Sequence, residues 1–408
     1  MIANAPMQHT ADARLLFASR IVRLFAYGFL AVVLVLYLSS IGLDDHRIGA
    51  LLSLTLLGDV LVSLYLTTRA DAFGRKRTLL TGAVLMILAA IVFAITRDFT
   101  LLVIAATVGV ISPSGNEVGP FLAVEQVALA QVAEGRDRTH LFAWYNLVGS
   151  FATACGSLAG GFFSGLLLRR GFDPPTSYHS AIIAYAILGG VLALVVARLS
   201  RAVEGTHAPR SVKSLFRVER SRGIVLRLSS LFALDSFAGG LVVQSIMAYW
   251  FYRRFGLSPA TLGSLFFGAN LLAGVSALAA ARIARRIGLL NTMVFTHLPS
   301  NVLLILVPFM PTLWLAMTVL LLRFSISQMD VPTRQAFVIA AVDPSERTAA
   351  AGITGVARTT GAALAPVIAM PLIAGMTRDW LPFVLAGGLK VVYDLALLWS
   401  CRGVDIDG

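Results

Sequence analysis

Residues 69–82 read RADAFGRKRTLLTG. One carboxylate, Asp71, and one glycine, Gly74, stand beside the basic residues Arg69, Arg75, Lys76 and Arg77, with a long apolar run on either side. A connection this short and this basic, between runs each of about 20 apolar residues, reads as a tight turn joining two membrane helices. Its positive charge also says which face of the membrane it occupies, because Lys and Arg are retained on the cytoplasmic side.

The rest of the chain fits that reading. Of its 408 residues 57% are hydrophobic and 13% charged, and mean hydropathy is +0.82. Soluble domains carry about 45–50% apolar and about 25% charged residues, so both figures depart toward a membrane protein. The net charge of +12 is concentrated in alternate short loops and forms no basic stripe with interleaved aromatics, which argues against a nucleic-acid partner. Cys155 and Cys401 lie far apart in apolar contexts and the six histidines have no ligand spacing. Neither a disulfide framework, a metal site nor a cofactor is expected. Residues 1–13 lack the basic and apolar regions of a cleaved signal peptide.

A scan for apolar runs predicts twelve spans. They are 15–41, 48–70, 77–96, 99–131, 138–168 and 178–200, then 223–252, 259–286, 289–309, 311–341, 346–374 and 380–401. With the N-terminus inside, the inner segments hold Arg69, Arg75, Lys76, Arg77 and the run from Arg198 to Arg227, against Arg47, Arg97, Arg169 and Arg170 outside. Both termini are therefore expected in the cytoplasm of a multi-pass protein of a bacterial-type inner or plasma membrane. Residues 201–222 form the one long polar linker, dividing the chain into an N-terminal half (1–200) and a C-terminal half (223–408).

The halves are repeats. EQVALAQVAEGRDRT (125–139) aligns without gaps on RQAFVIAAVDPSERT (334–348), and IGLDDHRIGALL (41–52) sits beside FGLSPATLGSLF (255–266). Two parallel six-helix repeats predict an all-α polytopic protein of two pseudo-symmetric bundles, with alternating access around a midplane site.

The loop at 69–82 resembles the signature loop of the major facilitator superfamily, with Asp71, Gly74, Arg75 and Lys76 in the matching positions. Thr67 and Ala72 depart from the pattern, and the counterpart ARIARRIGLL (281–290) has Ala281 in place of the acid. The resemblance implies that Asp71 sits near the start of span 11 and helps latch the cytoplasmic side. That start is expected at Asp343-Pro344-Ser345-Glu346, with Asp343 as N-cap and Pro344 as first helical residue.

Ionisable residues inside spans are functional candidates by default. Arg323 and Arg358 fall near the bilayer middle and could fork onto a carboxylate or phosphate; with Asp235 and Asn116 they are the substrate-binding candidates. Pairing of the two arginines with Asp235 or Asp330 is the alternative. Glu117 and Asp59 are the candidates for proton coupling, through a carboxylate whose environment alternates. Glu125 and Arg334, equivalent in the repeat, could meet across the inner gate when it closes. The local alternative pairs Arg334 with Asp330, four residues away. The segment GVISPSGNEVGPFLAVEQ (109–126) puts helix breakers into span 4 and predicts a bend where freed backbone faces protein or a wet cavity.

The sequence thus predicts a secondary transporter, not an enzyme, since no HExxH, GxSxG or phosphate loop is present. The expected partners are the lipid bilayer, a small organic substrate and protons, and the chain is expected to be a monomer. The glycines of GSFATACGSLAGG (149–161) tilt the expectation slightly toward export, with proton-linked import of an organic anion, or a non-transporting receptor, as alternatives.

Overall fold

A computed structural model describes residues 5–132, 138–204, 218–375 and 377–402. Positions 205–217 of the expected linker lie outside the described residues. Eleven helical segments among those described are long and apolar enough to cross a membrane: Ala11–Ser40, Asp45–Phe73, Arg75–Ile95, Leu141–Arg169, Pro174–Ala197, Arg222–Phe255, Pro259–Ile287, Leu289–Phe309, Leu313–Ala340, Arg347–Ala374 and Leu381–Cys401. The short apolar helices Phe99–Val108 and Phe121–Val132 together make span 4, so the chain has twelve spans. Below, the linker face is the membrane face that carries the linker, and the far face is the opposite one.

Local chemistry starts the even-numbered spans at the far face. Asp44, Asp98 and Asp173 cap spans 2, 4 and 6, and Ser258 and Thr312 cap spans 8 and 10, each side chain accepting a backbone N–H of the first turn. Prolines follow at the first helical position of spans 6 and 8, where their fixed φ suits the turn. On the linker face the signature loop collapses to one residue. Gly74, at φ 101°, ends span 2 and begins span 3, and Gly288, at φ 84°, does the same between spans 8 and 9. Only glycine enters that region without strain, so the repeat is visible in backbone conformation as well as in sequence.

Within each half the spans pack closely. Span 1 runs against spans 5 and 6, and span 7 against spans 11 and 12. A Cβ at Gly156 of span 5 would lie 2.0 Å from the carbonyl oxygen of Phe25, and one at Gly361 of span 11 would lie 2.3 Å from that of Ala233. These glycines, one in each half, let helix backbones touch, as small residues do at membrane helix interfaces.

Two expectations need correcting. Span 4 is interrupted from 109 to 120 rather than merely bent, and spans 7, 10 and 11 are also broken, at 241–243, 328–329 and 364–365. Span 11 starts at Arg347, three residues later than its capping pattern predicts. Asp343 spends its carboxylate on the N–H and hydroxyl of Ser345 within a turn, and Glu346 stands at the N-cap. In this conformation Asp71 bonds Arg75 at 2.9 Å on its own turn.

Candidate functional site

The breaks of spans 4 and 7 meet each other. In span 4, Gly115 and Gly119 take positive φ of 72° and 79°, and the freed backbone of the segment is satisfied by protein groups. Asp59 of span 2 accepts the Gly119 N–H at 2.5 Å and the Ser63 hydroxyl at 3.0 Å. The Pro113 carbonyl accepts the Ser245 N–H of the span 7 break at 3.1 Å. Beside it, Gln244 donates to Ser157 of span 5 (3.1 Å) and accepts from Asn270 of span 8 (3.0 Å). Asp59 therefore holds the break in place, and Asn116 lies exposed at its tip.

Just toward the linker face from this junction, the N-terminal half buries a cluster of four charges. Arg23 of span 1 is fully buried and forks onto Glu125, at 2.7 and 2.8 Å, and also reaches Glu117 at 3.1 Å. Arg20, one turn away, bonds Glu117 at 2.6 Å and Asn146 at 3.2 Å. Glu125 accepts further hydrogen bonds from Ser19 and Tyr145. The guanidinium planes of Arg20 and Arg23 lie over Tyr145 and Phe121. Two cations face two carboxylates, and Glu117, 18% exposed at its side chain, is the one acid of this set with appreciable access to solvent.

A second cluster occupies the C-terminal half. Asp235 of span 7 accepts from Lys390 of span 12 at 2.5 Å and from Arg334 of span 10 at 3.2 Å. Arg334 also bonds Asp330 at 2.9 Å. Asp394, fully buried one turn beyond Lys390, accepts from the His297 ring and from Asn301 of span 9, each at 2.9 Å. Arg323 and Arg358 adjoin these groups electrostatically, yet neither guanidinium has a hydrogen-bond or ion-pair partner among the described residues, and both Nε atoms are buried and unsatisfied. Four permanent cations (Arg323, Arg334, Arg358, Lys390) thus face three carboxylates (Asp235, Asp330, Asp394).

The sequence candidates fall into place accordingly. Asp235, Asp330, Arg334, Arg323 and Arg358 are brought together; Glu117 and Glu125 are brought together; Asn116 and Asp59 flank the span 4 break. Glu125 and Arg334 do not meet in this conformation. Each is held in its own half, Glu125 by Arg23 and Arg334 by the local partner Asp330 and by Asp235. Arg20, Arg23, His297, Lys390 and Asp394 were not singled out from sequence. All five obey the same rule of ionisable groups inside spans, and Lys390 and Asp394 stand four apart in the middle of span 12.

On the linker face, the signature loop is tied to the end of span 6. Glu204 accepts the N–H groups of Arg75 (2.7 Å) and Lys76 (3.3 Å), capping span 3. Arg75 reaches Gln131 at the end of span 4 (2.6 Å) and Lys76 bonds the Leu199 carbonyl (2.6 Å). Glu346 has a similar task in the other half, accepting the N–H groups of Glu219, Arg220 and Ser221 at 2.6–2.9 Å. Those three hydrogen bonds hold its carboxyl down at about 2.

The cross-half contacts seen run from the membrane middle to the far face. Val367 N–H donates to Ser53 (3.0 Å), Arg253 pairs with Asp45 (3.1 Å), and the backbones of span 5 and span 8 approach at Gly161 and Gly263. The halves are thus joined toward the far face.

Comparison with known proteins agrees with this architecture. Residues 16–395 match the Major Facilitator Superfamily profile. The chain is 31% identical over 426 aligned positions to the uncharacterized membrane protein YJR124C of Saccharomyces cerevisiae, covering 97% of this chain and 95% of that protein. It is 23% identical over 145 positions to the quinolone resistance protein NorA of Staphylococcus aureus, covering 36% of each. Among solved structures it resembles the nucleoside transporter NupG (TM-score 0.76, 16% identity, 95% of this chain and 99% of that one). It also resembles a bacterial homologue of the lysosomal transporter Spinster in an inward-facing, unoccupied conformation (TM-score 0.74, 13% identity, 97% and 98%). The chain is an integral, multi-pass membrane protein that belongs to the major facilitator superfamily of secondary transporters.

Proposed function

We propose that the chain moves a small organic anion by alternating access, coupled to protons. The observation that carries this is the positive charge in the C-terminal half: among the described residues Arg323, 8% exposed, and Arg358 have no hydrogen-bond or ion-pair partner, Arg323 lying only over the Phe324 ring. A buried guanidinium with no counter-charge is costly, and an anion bound between the two would supply the missing acceptors. Forked donors favour a carboxylate or a phosphate group.

The joined far face supports alternating access, with this conformation open toward the linker face; the basic loops make that face cytoplasmic. On this reading Glu117, with its access to solvent, is the coupling acid of the N-terminal half, and Asp59 a second candidate. Arg358, partly buried, lies with Arg323 beside Asp235 and Asp330.

The decisive measurement is flux into proteoliposomes with an imposed pH gradient, using lactate, benzoate, succinate and glycerol 3-phosphate in turn. Anion movement that responds to the gradient, and that falls in Arg323→Gln and Arg358→Gln, supports the reading. Flux of none of these anions, or flux indifferent to pH, overturns it. A second reading, export of an uncharged or cationic drug, is favoured by the partial likeness to NorA. It predicts dye extrusion that survives both arginine substitutions.

A further inference from the structure

We propose that His297, held between Asp394 and Asp235, is a proton-binding site of the C-terminal half, and that its occupancy is transmitted to span 12 through Lys390. The inference rests on proton-coupled transport as read above. It adds a group that neither the family motif nor the midspan acids would have identified.

The geometry begins at Asp394. Its carboxylate is fully buried, and its partners are the His297 Nδ1 (2.9 Å) and the Asn301 amide (2.9 Å). No permanent cation lies within ion-pair distance of it among the described residues, although Lys390 is one turn away and is engaged by Asp235 at 2.5 Å. With neutral His297, Asp394 is therefore a buried carboxylate held by hydrogen bonds alone, a costly arrangement. A proton taken from water onto Nε2 makes the ring an imidazolium, giving Asp394 its counter-charge, and no other bond changes.

The other edge of the ring links that event to span 7. His297 Nε2 lies 3.9 Å from Asp235 Oδ1, close enough for attraction but beyond a hydrogen bond. Once protonated, Nε2–H becomes a third donor aimed at a carboxylate already held by Lys390 and Arg334. The competition falls on Oδ1, the oxygen that Lys390 Nζ already holds at 2.5 Å, while Arg334 holds the other oxygen, Oδ2, at 3.2 Å. Lys390 sits in the middle of span 12, one turn before Asp394. A proton at His297 thus loosens the tie between span 12 and span 7.

The charged and titratable groups around the ring can be stated for each neighbouring element. Span 12 supplies Lys390, Tyr393 (ring centroids 6.0 Å apart) and Asp394; span 7 supplies Asp235. Span 10 supplies Arg323, Asp330 and Arg334. Span 8 offers Arg282, Arg285 and Arg286, all at its linker end.

The test has two arms. In purified, 15N-histidine-labelled protein, the resonance missing from His297→Gln should pass from one bare ring nitrogen to two protonated ones as pH falls from 8 to 5. Asp394→Asn should move that transition toward acid, because the imidazolium loses its counter-charge. A ring that stays neutral throughout, or a transition that ignores Asp394→Asn, overturns the inference whatever the flux shows. In pyranine-loaded proteoliposomes given the four anions above, His297→Gln should keep downhill anion exchange within about twofold and lose gradient-driven accumulation at least tenfold. Gradient-driven accumulation that survives in His297→Gln overturns the inference and leaves proton coupling standing. Accumulation absent in the wild-type protein overturns the reading on which it rests. Should His297→Gln fail to fold, the pH profile of Asp394→Asn decides: an acid shift supports the site and an unmoved profile removes it.

Discussion

The two halves share a fold and differ in how they settle buried charge. In the N-terminal half Arg20 and Arg23 face Glu117 and Glu125, and each charge has an opposite partner within 3.2 Å. In the C-terminal half a larger cluster is left with two unpartnered arginines and with a histidine standing between two acids. A matched set needs nothing from outside the protein. An unmatched set is where an anion and a proton would change the energy most, and on the proposed function one half serves as clamp and the other as reader.

The largest effect should come from unbalancing the matched set. Arg23→Ala leaves Glu125, buried completely, without its forked partner, a loss of about 3–5 kcal/mol for a broken buried pair. Little folded protein should survive extraction, measured by size-exclusion chromatography. The double variant Arg23→Met with Glu125→Met removes both charges and should recover folded protein without recovering transport. If Arg23→Ala alone extracts like wild type, the two clusters do not differ in the way described.

Next comes the unmatched set, where the same kind of substitution should behave in the opposite way. Arg323→Gln removes a cation that has no hydrogen-bond or ion-pair partner among the described residues, so thermal stability should hold or rise slightly. Anion flux should fall roughly 10–100-fold, the loss of about 1.5–3 kcal/mol of charged hydrogen bonding. A stability loss as large as that of Arg23→Ala would mean that Arg323 has a structural partner and is not a ligand group.

Much of this was legible in the chain. The twelve spans, the repeat and the signature loop all rest on hydropathy and on short-range pattern, which the sequence carries directly. Asp235, Arg323 and Arg334 were also recognisable, because a charge in the middle of a span has few inexpensive explanations. The partners were harder to see. Arg20 and Arg23 sit in the early turns of span 1, where basic residues normally reach the membrane surface, so nothing local distinguishes them from snorkelling side chains. Asp394 and His297 depend on which faces of spans 9 and 12 meet, and that is a property of packing. The start of span 11 misled for a related reason. Asp343 and Pro344 make a good cap pattern, but Glu346 is recruited by the N–H groups ahead of span 7, 125–127 residues away in sequence.

A smaller effect is expected at Asp59, which has no equivalent acid at the span 7 break. Asp59→Ala strands the Gly119 N–H and should cost about 1–3 kcal/mol, the range for an unsatisfied buried donor. Asp59→Asn keeps an acceptor and should cost less. If Asp59→Asn instead flattens the pH dependence of flux with stability unchanged, Asp59 is the coupling acid and its hold on the break is incidental.

The smallest effect lies at the linker face, where both halves use a carboxylate to cap the start of a helix. Glu346 accepts three backbone N–H groups, and its carboxyl sits near 2 against an ordinary value of 4.5. A depressed acid stabilises the folded protein fully above its unfolded value and loses that contribution as pH falls through the folded one. The cap is therefore constant from pH 8 to about 5 and weakens only from about 4.5 down to 2. Glu346→Gln keeps an acceptor but loses the charge, and should lower the thermal midpoint at pH 7 by no more than a few degrees. The difference from wild type should shrink when melting is repeated at pH 3. Because flux is measured between pH 5 and 8, this carboxylate cannot contribute to its pH profile. Glu346→Gln should leave that profile where it was, and a shift would bring the linker-face cap into the coupling mechanism and blur the contrast between the two buried clusters.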